Sequence, residues 1–477
     1  MKSNRRDFLK QMTVITAAAA MPTIAATSCS TGKKKVTPRK VKAGEKVRLA
    51  CVGIGFRGGE IIKQFEATEL CEIVALCDIN MGAEHTQETL QRHPDVPRYQ
   101  DFRKMFAEMG DKIDAVSVGT PDHSHFPICM LAMSLGINVY VEKPMAHTFY
   151  ECELMMEAEK KYGVVTQMGN QGHSEGNYFQ FKAWKDAGVI KNVRAVTAHM
   201  NNSRRWHGWD SNMQSYFPEE PVPATLDWDS WHCGEMLHKY NRNFVDGQWR
   251  CWYDFGMGAL GDWGAHLIDT VHEFLELGLP TEINMLRAEG HNPFFYPYSS
   301  TIEFKVPARG DMPPVDITWY DGLDNIPPVP EGYGNVELDP NIPTVAGGKI
   351  QPAKLNPGKI IYSDELTFKG GSHGSTLSII PESKAKEWES RLPEVPASPS
   401  NHFANFLLSC QGVEKPRSPF SIAGPLSQVF CLGVIAQQLN ARLKFDPETK
   451  QFINSPVANL LLRRGIPRKG WEEFYQL

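Results

Sequence analysis

Val47-Arg48-Leu49-Ala50-Cys51-Val52-Gly53-Ile54-Gly55-Phe56-Arg57-Gly58-Gly59 decides the fold of this chain. An apolar run rich in β-branched residues passes directly into Gly53-x-Gly55-x-x-Gly58, and a helix-like segment follows. That order is what a dinucleotide-binding turn requires. The first glycine makes the tight turn, the second lets backbone approach a pyrophosphate, and the third lets helix pack on strand. Amides at the start of the helix then face the phosphate charge. A second apolar run, Glu72 to Asp78, ends in a carboxylate placed to take a ribose hydroxyl. An ordinary strand-end helix cap is the plain alternative for Asp78. The candidate cofactor residues here are Gly53, Gly55, Phe56, Arg57, Gly58 and Asp78.

Working outward, the runs VRLACV, EIVALC, DAVSVGT and NVYVEKP alternate with amphipathic segments such as Phe102 to Met109 and Ile128 to Leu135. Strands alternating with helices imply βαβ units, a parallel sheet, and a ligand at the carboxyl ends of the strands. Two of those ends carry polar chemistry, Thr120-Pro121-Asp122-His123-Ser124-His125 and Glu142-Lys143-Pro144. After a helix-like Tyr150 to Tyr162, VVTQMGNQGHS reads as one more strand opening into a glycine-rich loop. Gln171 and His173 are its polar candidates, either for a substrate or as turn caps. A second domain then begins with a strand at Val193 to Met200. A Trp-rich irregular stretch follows, in which Arg205, Trp206 and Trp231 are candidates for a sugar-facing loop. Loop packing is the competing reading. Further on, Asp262 and His266 lie four residues apart at the start of an apolar helical run, on one helical face. Runs such as STIEFKV, VDITWYDG and DELTFKGG predict antiparallel strands, interrupted by a Pro/Gly-rich stretch from Pro307 to Pro357. Two apolar helices close the chain.

Together, the glycine turn, the Thr-Pro-x-x-x-His segment, Glu-Lys-Pro and Asp262-x-x-x-His266 resemble the family of glucose–fructose oxidoreductase and inositol dehydrogenase (Gfo/Idh/MocA). The resemblance covers Val47 to the C-terminal region. It implies a Rossmann domain over residues 47–169. An α+β domain with a large open, mostly antiparallel sheet follows over residues 170–477, with closing helices near 401–442. It also implies cofactor contacts from Thr120, Pro121, His125, Glu142 and Lys143, and substrate contacts from Gln171 and His173. Lys143, Asp262 and His266 are the implied catalytic group. Asp122 stands where the family commonly has Asn. The implied substrate class is a sugar, inositol or glycoside, and the implied assembly is a homo-oligomer, a dimer or tetramer.

Composition bounds the rest. The chain has 477 residues, enough for two domains, and a formal net charge of −5, which argues against nucleic acid as the main partner. The ten cysteines form no CxxC pair and no metal-like spacing with histidine, so no metal site is expected. Residues 1–29 read as an address rather than as fold. Asn4-Arg5-Arg6-Asp7-Phe8-Leu9-Lys10 resembles a twin-arginine export signal, and Ala26-Thr27-Ser28-Cys29 resembles a lipoprotein cleavage box with Cys29 as the lipidation candidate. Residues 30–46 read as a basic linker. The expected location is the periplasm or cell envelope, with membrane contact only through the signal or a lipid anchor.

Oxidising a secondary alcohol needs a hydride acceptor, a base and a partner for the developing oxyanion. His266 has the intrinsic pKa of a base and Lys143 the charge for the alkoxide. The reverse assignment, Lys143 as a base after burial, stays open. Asp78, with no basic residue directly after it, favours NAD over NADP, because an acidic side chain repels the 2′-phosphate. An exported enzyme meets no free NAD pool, so tight cofactor retention is expected. The leading expectation is an NAD-dependent oxidoreductase acting on a sugar or glycoside hydroxyl, giving in its most specific form a keto-glycoside. The alternatives are a redox-neutral NAD-dependent glycosidase or lyase, and a non-catalytic nucleotide- or carbohydrate-binding lipoprotein.

Overall fold

The computed structural model describes residues 36–201, 207–333 and 355–477. The export signal with Cys29, the first linker residues, Arg205 and Trp206 lie outside the described residues.

The first half is a parallel sheet built from β1 (Val47–Val52), β2 (Cys71–Cys77), β3 (Arg98–Tyr99), β4 (Ala115–Val118), β5 (Asn138–Val141) and β6 (Thr166–Met168). Its order is β3-β2-β1-β4-β5-β6 and every pairing is parallel. The order reverses between β1 and β4, and the ends of those strands flank the crevice where doubly wound sheets bind ligands. β4, β5 and β6 are buried at every position. This is why they show no alternation of apolar and exposed polar residues, and why their few polar members, such as Ser117, Asn138 and Gln167, are buried as well.

The second half forms a nine-stranded sheet. Its strands are β7 (Val193–Met200), β8 (Glu282–Glu289), β9 (Ser299–Val306), β10 (Val315–Asp321), β11 (Gly358–Ser363), β12 (Thr367–Gly370), β13 (Ser378–Ile380), β14 (Arg442–Asp446) and β15 (Gln451–Phe452). The order is β13-β12-β11-β7-β10-β9-β8-β14-β15, antiparallel except for the β7–β10 pair. β10 alternates buried Val315, Ile317 and Trp319 with more exposed Asp316, Thr318 and Tyr320, the period-2 signature of a half-covered sheet. It lies inside the Pro/Gly-rich stretch, of which residues 334–354 are outside the described residues.

Sequence order divides the chain into two domains, but packing joins them. The helix Phe420–Leu439 lies against the first-domain helix Phe149–Tyr162 and the second-domain helix Gly258–Leu267. It is long and apolar enough to cross a membrane, yet 83% of its most apolar window is buried, which makes it a core helix. The helix His402–Cys410 sends Phe403 and Phe406 against the first domain: Phe403 meets Phe65 edge-on at 5.1 Å, and Phe406 meets Tyr140 at 5.7 Å.

Residues 36–46 do not behave as a free tether. The Arg39 amide donates to Gly136 O at 2.7 Å, Val41 is buried, and Gln411 Nε2 donates to Glu45 O at 2.8 Å. Docking of this kind runs largely through backbone groups, so it leaves no apolar period for a sequence reading to find.

Candidate active site

A cleft of about 2180 Å³ runs from the glycine turn, past the ends of β1, β4 and β5, to Trp263 and His266 in the second half of the Gly258–Leu267 helix. Its two ends are built differently.

At the cofactor end the geometry comes from backbone. Gly53 has φ +78°, and a Cβ there would lie 2.7 Å from Gly119 O. A Cβ on Gly58 would lie 2.1 Å from Gly53 O, so turn and helix touch backbone to backbone. The helix Phe56–Glu66 begins at Gly55 with no side-chain cap, leaving its first amides directed at the cleft. Asp78, at the end of β2, accepts from Ile54 N and Asn80 N, both at 3.0 Å. Each oxygen takes one amide and keeps a lone pair for a hydroxyl. Phe56 is exposed and stacks on His85 at 4.3 Å, beside Gly55. Uncapped amides, a carboxylate and a cradle that any side chain would fill together fit a dinucleotide.

The neighbouring turns are tied to each other. His125 is buried, with Nδ1 2.9 Å from Pro144 O and Nε2 2.9 Å from Thr120 O, so it fixes the spacing of the Thr120 and Lys143 turns. Thr120 and Pro121 line the cleft. Glu142 lies 3.6 Å from Arg57 and accepts from Gln171 Nε2 at 3.1 Å. Gln171 also donates to Tyr140 OH at 2.9 Å and reaches the cleft wall.

At the substrate end side chains do the work. Lys143 Nζ donates to Asp262 Oδ1 and to Asp262 O, both at 2.8 Å. Arg250 sits 3.5 Å from the same carboxylate and stacks over Trp249 at 4.0 Å. Burial lowers the Lys143 pKa despite the nearby charges of Asp262 and Glu142. Asp122 accepts from Met257 N at 3.1 Å, and burial raises its carboxyl to about 7 against the pull of Arg250. His266 lines the cleft with its Nδ1 buried and, among the described residues, without a hydrogen-bond partner. Burial, reinforced by His373 and Lys143, holds its pKa well below the usual imidazole value. The His373 ring lies face-on to it at 3.8 Å, with Trp263 edge-on to both rings.

Residues 47–170 match a family model described as "Oxidoreductase family, NAD-binding Rossmann fold", and residues 182–290 match one described as "Oxidoreductase family, C-terminal alpha/beta domain". Both models describe domains of Gfo/Idh/MocA oxidoreductases. Among similar proteins, an alpha-N-acetylgalactosaminidase of Shewanella oneidensis is 28% identical over 38% of this chain and 47% of its own length. An inositol 2-dehydrogenase of Salmonella typhimurium is 28% identical over 30% of this chain and 43% of its own. The chain thus spans less than half the length of these curated relatives. The fold matches a WlbA dehydrogenase from Bordetella pertussis in complex with NADH and UDP-GlcNAcA (TM-score 0.55, 14% identity, 84% of this chain and 98% of that one). It also matches an aldose-aldose oxidoreductase from Caulobacter crescentus complexed with glycerol (TM-score 0.52, 17% identity, 84% and 100%).

Lys143, Asp262 and His266, the group that the resemblance implied, come together, although 119 residues separate the first two. His173 does not join them. It is fully buried, with Nδ1 2.7 Å from Asp269 and Nε2 2.7 Å from Glu273, the second contact not aligned as a hydrogen bond. Burial opposes charge on that ring, but Asp269 and Glu273 outweigh it and push its pKa up to about 10. The Trp-rich stretch packs mostly on itself: Trp228 stacks on Trp231 at 4.6 Å, and Trp209 meets Trp252 at 4.6 Å. Trp231, Trp249 and Trp263 nevertheless line the cleft. Sequence reasoning missed Trp249, Arg250 and His373. The turn Gly370-Gly371-Ser372-His373-Gly374 was the one signal for the last, a histidine framed by glycines after a strand.

Proposed function

We propose that this protein is an NAD-dependent oxidoreductase acting on a secondary hydroxyl of a sugar or glycoside, exported from the cytoplasm with its cofactor tightly held. The observation that carries this reading is the Lys143–Asp262 pair, set beside His266 in a cleft continuous with the glycine turn. Bound NAD supplies the hydride acceptor; the chain supplies the rest. Lys143 commits two N–H directions to Asp262 and presents the third to the substrate oxygen, where one preorganised donor is worth about 3 kcal/mol. His266, held neutral, takes the hydroxyl proton. Trp231, Trp249 and Trp263 give the cleft an aromatic wall suited to a sugar ring, and Arg250 offers donors to its hydroxyls.

Cofactor retention finds support in a strap from the second domain. Thr225 Oγ1 donates to Asn80 Oδ1 at 2.7 Å, Gln100 Nε2 donates to Thr225 O at 2.9 Å, and Asp227 N donates to Ile79 O at 2.9 Å. The strap crosses beside Asp78, at the ribose end, and Pro223, Leu226 and Val245 extend its wall along the cleft. Opening of those bonds is the release step that this reading requires. Preference for NAD over NADP rests on the Asp78 carboxylate at the same place. A homo-oligomer through the outward face of the large sheet fits the half-buried Thr197, Thr318 and Tyr320. Periplasmic location and lipidation at Cys29 rest on the N-terminal sequence alone.

A redox-neutral cycle, in which transient oxidation is followed by elimination and return of the hydride, is the second reading. The strap and the similarity to an alpha-N-acetylgalactosaminidase favour it, since a retained cofactor is regenerated within the cycle. One experiment separates the two. Purified protein is mixed with a panel of glycosides and its absorbance followed between about 300 and 400 nm, where reduced nicotinamide absorbs. A persistent band near 340 nm means net oxidation, whereas a released aglycone without it means the closed cycle. Neither signal, and no nucleotide on denaturation, overturns the assignment.

A further inference from the structure

Most catalytic imidazoles are aimed by a hydrogen bond at the nitrogen remote from the substrate. Among the described residues none is given to His266, whose Nδ1 is buried without a partner. Its ring contacts come instead from aromatic neighbours. His373 covers one face at 3.8 Å with an interplanar angle of 20°, and Trp263 meets the ring edge-on at 5.7 Å.

His373 is itself firmly held. It sits at φ +51° in the turn that follows β12, its amide donates to His266 O at 3.0 Å, and its Nδ1 lies 2.8 Å from Ser372 Oγ. The next residue, Gly374, accepts from Asn177 N at 3.3 Å and has no room for a side chain, since a Cβ would fall against Glu175. The turn is therefore built to deliver one imidazole onto another.

We propose that His373 is a positioning residue for His266: stacked on its face, it fixes the ring where a hydrogen bond ordinarily would and keeps it uncharged. Two imidazoles at van der Waals distance do not both take a proton, because like charges so close repel strongly. Burial is the largest influence against charge on His266 and the His373 ring the next, and Lys143 from the end of β5 and Arg57 from the glycine turn add to it. Asp262 on its own helix works against it. His373 is the neighbour that adds both a contact surface and a titratable charge. The consequence is a base that stays neutral well into the acid range and keeps its geometry without a carboxylate behind it. This proposal rests on the reading of the cleft as an active site.

The test follows the imidazole carbon resonance of His266 against pH in histidine-labelled full-length protein, with the peak assigned by its loss in His266→Asn. In His373→Phe the ring face is kept and the charge removed, and the His266 midpoint moves to higher pH. His373→Gln gives the same upward move and serves if the phenylalanine variant does not fold, as judged by thermal unfolding. A midpoint unmoved in a folded variant overturns the proposal. NADH fluorescence on the same wild-type samples is the separate check: absence of binding overturns the cofactor reading while the titration still decides the histidine pair.

Discussion

The two ends of one cleft solve the same problem, holding reactive groups in place, by opposite means. At the cofactor end the work is done by Gly53 and Gly58, where backbone touches backbone, and by Gly55, where His85 leaves no room for a side chain, together with Asp78. At the substrate end Lys143 comes from the turn that follows β5 of the first sheet, Asp262 and His266 from a helix of the second domain, and His373 from a turn of the large sheet. A local device tolerates little change at its own positions but needs nothing from afar. An assembled device tolerates more at each position and fails when its pieces shift.

Lys143→Met should break this contrast most sharply. Losing the buried donor removes about 3 kcal/mol of transition-state stabilisation, a loss of about two orders of magnitude in single-turnover hydride transfer. NADH binding, followed by fluorescence, should persist. If nucleotide is lost as well, the two ends are not separable in the way described.

Next in size is Gly58→Val at the other end. Its Cβ would fall 2.1 Å from Gly53 O, against backbone that has no slack. Overpacking of this kind costs about 1–3 kcal/mol. A lowered Tm and the loss of NADH binding should appear together, because turn and fold are one object here. A variant that binds NADH normally would show that the turn can relax.

Asp78→Ala comes third. Loss of a charged acceptor for a ribose hydroxyl should weaken NAD binding by about tenfold or more and reduce discrimination against NADP. Equal loss for both nucleotides would mean that Asp78 only braces the glycine turn through Ile54.

A smaller effect sharpens the role of the strap. Thr225→Val removes its hydroxyl bond to Asn80, worth about 1 kcal/mol, and should speed NADH release several-fold in a stopped-flow displacement. An unchanged release rate would show that the strap does not gate the cofactor.

The smallest effect on the site itself is expected from His173→Gln. With its pKa raised to about 10, His173 contributes stability that is fully present below its unfolded value of about 6.5 and is lost as pH rises through about 10. The variant should flatten the stability curve between those values, followed by urea unfolding, while NADH affinity stays put. A change in NADH affinity instead would return His173 to the cleft.

How much was legible follows the same division. The parallel sheet and its cofactor turn were readable because a parallel sheet buries both faces and a phosphate turn needs glycine at fixed spacing. Lys143, Asp262 and His266 were readable only through resemblance, since nothing local requires a lysine to meet an aspartate 119 residues later. His173 misled because a polar residue on a glycine-rich loop carries no mark of which way it faces. The Trp-rich stretch misled in part, since aromatic rings that pack on each other and rings that line a cleft look alike in one dimension. Residues 36–46 read as a tether because their docking uses amides and carbonyls, which every residue has.

By itself, then, the sequence determined what depends on neighbours in the chain: strand or helix period, the glycine turn, the carboxylate at the end of β2, and the export-like N-terminus. Tertiary structure alone decided that His373 lies on His266, that Arg250 and Lys143 share Asp262, and that Thr225 bridges to Asn80. The physical reason is range. Backbone conformation is set within a few residues, whereas stacking and charge pairing are set by whichever side chains the packed sheets and helices bring within a few ångströms.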